Sequence, residues 1–135
     1  MTIVVAYSPD PYGRAALAHG AAEATLRDEH LLVVNDTRGD ALVDARFAPE
    51  TEIARVRERL AALGLEAHVR QEVVRDVAES VVTAAGEAGA SLIVVGVRHR
   101  SPVGKALLGS VAQRVILDAP CPVLAVKSDP DADEV

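Results

Sequence analysis

The chain is predicted to be an α/β protein, a five-stranded parallel sheet with helices on both faces. Three observations carry this expectation. Short runs of branched apolar residues alternate along the whole chain with segments of helical periodicity, and β-α alternation forces right-handed crossovers and parallel strands. The runs, such as Leu31-Leu32-Val33-Val34, are apolar throughout, as strands covered on both faces are. Two tyrosines and one phenylalanine among 135 residues leave the core to Val, Leu, Ile and Ala. A chain of this length makes one domain and buries about two thirds of its unfolded surface.

The elements follow in order. Ile3 to Tyr7 reads as a buried strand, and the turn Ser8-Pro9-Asp10-Pro11 leads into an alanine-rich helix from about Tyr12 to Leu26, thin enough to sit close to the sheet. Leu31 to Val34 is the second strand. After a polar segment from Asn35 to Pro49, Ile53, Val56, Leu60 and Leu63 keep helical spacing until Gly64 stops them. A short strand, Leu65 to Gln71, precedes a third helix built on Val77, Val81, Ala84, Ala85 and Ala88, with Gly86 and Gly89 near its end. Strand Leu92 to Val95, a glycine-bearing loop, helix 110–118 and strand Val123 to Val126 complete the chain. Residues 128–135 read as a solvated acidic tail after a domain at 1–127.

Formal charge is −6, but four of the twenty acids (Asp129, Asp131, Asp133, Glu134) lie in that tail, leaving sixteen acidic against fourteen basic residues before it. So balanced a body, without an evident basic face, argues against nucleic-acid binding. The one cysteine, Cys121, cannot form an internal disulfide and reads as a small apolar residue. No apolar run reaches the roughly 18 residues of a membrane span and no signal-peptide pattern precedes Ile3, so a soluble cytoplasmic protein is expected.

The informative stretch is Gly96 to Ser110. A strand runs into Gly96, and Gly109-Ser110 opens the helical pattern Val111, Val115, Ile116. A strand, a glycine loop and a helix N-terminus make an anion site, because loop amides and unpaired first-turn N–H groups point at one place. Arg98, Arg100 and Lys105 add three cations to the loop, as phosphate ligands or as solvated surface. Ser101-Pro102 suits the start of a short helical turn through Ala106-Leu107-Leu108.

This pattern resembles the universal stress protein family, which carries glycine, two residues, glycine, nine residues, then glycine and serine or threonine. Gly96, Gly109 and Ser110 match it, and His99 stands where the second glycine belongs. The opening Ile3-Val4-Val5-Ala6, the segment Arg14-Ala15-Ala16-Leu17 and the close Asp118-Ala119-Pro120-Cys121-Pro122-Val123-Leu124-Ala125-Val126 resemble the family too, so the likeness spans about the whole chain. Five strands allow two orders, 2-1-3-4-5 and 3-2-1-4-5; the resemblance implies the second, a Rossmann-like arrangement with its switch point between strands one and four. Tyr7, Ser8 and Gly96 then surround one crevice, with Asn35 in reach at the end of strand two.

The resemblance implies an adenine nucleotide, ATP with or without Mg²⁺, and a nucleotide-responsive regulatory module. The candidate contacts are Tyr7, Ser8, Asp10, Asn35, Gly96, Arg98, His99, Arg100, Gly109, Ser110 and Val111. Two departures keep open a dimeric partner-binding protein that takes no nucleotide. His99 places a Cβ where phosphate oxygens would lie, and Ser8 stands where family members carry an aspartate, with Asp10 two residues on as a substitute. Tyr7 and Tyr12 pack near a base or merely cover the helix. A slow ATP hydrolase is the third reading, but no general base is evident beside the phosphates. A homodimer is expected through the last strand, Val123 to Val126, an apolar edge guarded only by Lys127.

Other chemistries fail on spacing. His99 and Ala106 break a P-loop ending at Gly104-Lys105. A receiver domain needs acids where Ser8 and Gln71 stand. His19, His30, His68 and His99 lack zinc-ligand spacing. Asp36, Asp40 and Asp44 recur every fourth residue without the rhythm of a calcium loop and read as solvated.

Overall fold

The structure, a computed structural model, describes residues 1–39, 47–98 and 108–128. Strands β1 (Thr2–Ala6), β2 (His30–Val34), β3 (Ala67–Arg70), β4 (Ala90–Val97) and β5 (Val123–Lys127) form one sheet in the order 3-2-1-4-5. Every neighbouring pair is parallel, and β1 is held centrally, with Val4 opposite Leu32 on one side and Ile93 on the other. The helices α1 (Pro11–Arg27), α2 (Glu50–Ala62), α3 (Val77–Ala88) and α4 (Ser110–Asp118) are the crossovers.

Alternate residues of each strand feed two cores. Ile3, Val5, Leu31, Val33, Leu92, Val94 and Val126 pack with α1 and α2 on one face, while Val4, Val34, Ile93, Val95 and Val97 pack with α3 and α4 on the other. Burial on both sides is why the strands read as continuous apolar runs. Helix α1 lies close to the sheet because it presents Ala16, Gly20 and Ala24; a Cβ on Gly20 would stand 2.3 Å from Val5 Cγ2.

Capping residues fix the helix starts. Asp10 is the N-cap of α1, its Oδ1 accepting from Gly13 N at 2.8 Å, with Pro11 in the first turn. Asp76 caps α3 in the same way through Glu79 N at 3.1 Å. Gly89 closes α3 with φ 61°, a left-handed conformation suited to glycine.

Several expected bounds move. Tyr7 and Gln71 fall just outside β1 and β3, Leu65 precedes β3, and α1 begins at Pro11. Gly96 is a strand residue rather than a loop residue, because β4 continues past Val95 and pairs Gly96 with Val126. Ser128, assigned to the tail, is buried. Asp36 is buried as well, contrary to its reading as solvated loop, because Arg70 and Ser80 come in from distant elements to meet its carboxylate. His99, Arg100, the Ser101–Leu107 turn with Lys105, Asp40, Asp44 and residues 129–135 lie outside the described residues.

Candidate functional site

A cleft of about 210 Å³ opens at the carboxyl ends of β1 and β4. It lies where the strand order reverses, the position at which open α/β sheets bind ligands. The N-termini of α1 and α4 reach it, and Val34, Asp36, Val77 and Val81 supply its remaining wall. Of the residues expected from sequence, Tyr7, Ser8, Asp10, Gly96, Arg98, Gly109, Ser110 and Val111 line this cleft.

Gly96 permits the close approach that shapes it. A Cβ there would lie 2.2 Å from the carbonyl oxygen of Tyr12 and 2.6 Å from its carbonyl carbon, so only glycine lets the start of α1 rest on β4. Gly13 does the same against Ser8, whose oxygen would stand 1.9 Å from an added Cβ. Gly109 has another reason: its φ of 87° is in the left-handed region, while an added Cβ would meet nothing within 4 Å. A side chain at this position would therefore strain the backbone.

No side chain caps α4 among the described residues, and its first intrahelical acceptor, Gly109 O, is taken by Gln113 N at 3.0 Å. The N–H groups of Ser110, Val111 and Ala112 thus have no acceptor within the helix and carry the positive end of its dipole. Across the cleft the Arg98 guanidinium lies 5.7 Å from the centre of the Tyr12 ring, a cation–π contact that holds a positive group over an aromatic face.

Tyr7 contributes main chain here, while its side chain serves the opposite core. Its hydroxyl donates to Glu52 Oε1 at 2.7 Å, and Arg14 donates to the same oxygen at 3.2 Å. Burial, reinforced by Glu52, pushes the phenol well above its ordinary value, so it remains a donor at any physiological pH. Asn35 does not line the cleft. It is fully buried, its Nδ2 donating to Tyr7 O at 2.9 Å and its Oδ1 accepting from Ala48 N at 2.8 Å and Gln71 Nε2 at 2.9 Å.

Asp36 is a charged lining residue that sequence reasoning missed, as it missed the apolar wall of Val34, Val77 and Val81. Its Oδ1 accepts from Glu72 N at 3.1 Å, and its Oδ2 accepts from Arg70 at 2.9 Å and from Ser80 Oγ at 2.6 Å. The carboxylate is thereby spent on joining β2, β3 and α3. Cys121 is half-buried and its thiol is pushed up by desolvation, the behaviour of a structural rather than a reactive cysteine.

The chain as a whole is similar to known proteins. The model of the universal stress protein family matches residues 1–127. A universal stress protein of Mycolicibacterium smegmatis is 55% identical over 125 residues, covering 93% of this chain and 96% of that protein. The solved universal stress protein of Archaeoglobus fulgidus is 29% identical with a TM-score of 0.71, covering 93% of this chain and 97% of that one. A structure from the same organism, described as a complex with dAMP, is 26% identical with a TM-score of 0.66, covering 93% and 96%.

Proposed function

Since this chain belongs to the universal stress protein family, we propose that it is a regulatory module responding to an adenine nucleotide, ATP foremost, held in the cleft between β1 and β4. The observation that carries the reading is the convergence there of the α4 N-terminus, which no described side chain caps, with Arg98 on Tyr12. Phosphate oxygens would accept from the Ser110 and Val111 amides and the Ser110 hydroxyl, with Arg98 as the charged partner. Ser8 and Asp10, with Tyr7 main chain, stand where the nucleoside would lie. His99 and Arg100 join by sequence position, and the A. fulgidus complex with dAMP supports an adenine nucleotide as the ligand class.

A Mg²⁺ arriving with the nucleotide would be held by phosphate oxygens and water, with one or two protein carboxylates at most. No group of three acidic, histidine or cysteine side chains converges among the described residues, and the oxygens of Asp36 are already engaged. The proposal includes no catalysis. Ser8, in place of an acid, favours the second reading of a partner-binding protein without nucleotide. A soluble cytoplasmic protein without nucleic-acid partners completes the proposal, supported by the charge balance of residues 1–127 and the lone cysteine. No described helix is long and apolar enough to cross a membrane.

Two measurements test the nucleotide. Mass analysis of small molecules released from denatured, freshly purified protein is expected to find adenine nucleotide, and ATP at 100 times its Kd is expected to stabilise the fold by about 2.7 kcal/mol. The double variant Arg98→Ala, Ser110→Ala changes exposed side chains, so its own stability should hold while ATP affinity falls roughly ten-fold or more. Wild-type protein with neither retained nucleotide nor a thermal shift would sink the reading.

The same proposal includes a homodimer through β5, supported by its place at the sheet edge. Pro122 O accepts from Ile93 N, so by strand alternation the Ala125 N–H is directed at the outer edge, whereas that of Leu124 is directed at β4. Ala125→Pro is therefore the selective variant: it removes an outward donor and is expected to give a folded monomer. Light scattering on the eluting peak decides, and a variant that stays dimeric moves the interface elsewhere.

A further inference from the structure

A second cleft, of about 310 Å³, adjoins the first and shares Val77, Ser110 and Val111 with it. Three arginines from three elements line it: Arg38 after β2, Arg75 just before α3, and Arg114 in the second turn of α4. In residues 1–127 acids slightly outnumber bases, and here three arginines are gathered on one hollow. Backbone hydrogen bonds fix two of the three positions. Thr37 N donates to Glu72 O at 3.0 Å and Val74 N donates to Thr37 O at 2.7 Å, so the segments bearing Arg38 and Arg75 run bonded side by side.

Among the described residues of the lining the acidic one, Asp76, is already committed. One oxygen caps α3 and the other accepts from Arg114, whose hydrogen bond holds the carboxyl below the usual range. Arg114 keeps further N–H donors beyond that contact, since a guanidinium has five. Ser110 and Val111 add first-turn amides without intrahelical acceptors. Planar guanidinium forks and main-chain amides around one hollow suit an oxyanion with several acceptor oxygens, which is the chemistry of phosphate.

We propose that this arginine cleft is a phosphate subsite, and that together with the neighbouring cleft it selects small molecules bearing a chain of phosphates over monophosphates. The selectivity rests on the nucleotide reading above; the anion subsite does not. Titration calorimetry with inorganic tripolyphosphate, and separately with AMP and ATP, is the test. The proteins are wild type, Arg75→Gln, and the double variant Arg38→Gln, Arg75→Gln, in the full chain. Both positions are exposed, and Arg75→Gln alone guards against a folding defect in the double variant.

Tripolyphosphate is expected to bind the wild type, to weaken about ten-fold on loss of a charged partner, and to weaken further in the double variant, while AMP affinity changes less than about two-fold. The preference for ATP over AMP should shrink in step. Equal tripolyphosphate binding by all three proteins, or none by the wild type, overturns the subsite. Arginine-dependent tripolyphosphate binding without any nucleotide binding supports the subsite and ends the nucleotide reading alone.

Discussion

Gly96→Ala is expected to lower stability by about 3 kcal/mol, at the upper end for forcing a methyl group into a packed site. Three backbone atoms of Tyr12 lie within 2.9 Å of the position its Cβ would take, and a main chain cannot step aside as the tip of a side chain does. The start of α1 must therefore lift from β4, taking Asp10 and Gly13 with it. For a domain of this size the thermal midpoint should fall by about 10 °C. Gly86→Ala is the control: it is in α3 with nothing within 4 Å of an added Cβ, and it should stabilise by up to about 1 kcal/mol. A Gly96→Ala midpoint within about two degrees of wild type would show that the helix does not rest on the strand there.

Asp36→Ala is expected to cost a similar amount, about 3 kcal/mol, the lower end for breaking a buried ion pair because Arg70 retains some contact with water. The substitution leaves Glu72 N and Ser80 Oγ without their acceptor and the Arg70 guanidinium facing a hollow. Asp36→Asn keeps the shape and one acceptor oxygen, so it should lose less. Urea unfolding of the two variants separates charge from shape. Equal midpoints for wild type and Asp36→Ala would mean that the buried carboxylate is no net tie between β2, β3 and α3.

These two residues also show where sequence reading runs out. The strands were legible because each is buried on both faces and is therefore uninterrupted, and α3 because Val77, Val81, Ala84 and Ala85 keep one face. Gly96 was visible as a glycine, but its reason lies in Tyr12, more than eighty residues earlier, so it read as a loop residue although it is paired within β4. Asp36 resembled its neighbours in a polar segment, and nothing local announced Arg70 and Ser80. Asn35 misled in the opposite sense: a polar residue at a strand end reads as facing a ligand, whereas its amide bonds inward. The Gly109-Ser110 start of α4 was legible because a glycine with a hydroxyl neighbour before an apolar periodicity has few other uses.

That inward amide has a consequence for what the fold can absorb. Asn35 Oδ1 receives Ala48 N and Gln71 Nε2, and Gln71 Nε2 also reaches Ala48 O, so one side chain clasps both ends of residues 36–47 to β3. Substitution at Asn35 strikes both ends at once. Position 35 is therefore one whose change the fold absorbs badly: losing the amide releases Tyr7 O and Ala48 N together and leaves Gln71 to hold Ala48 by its carbonyl alone.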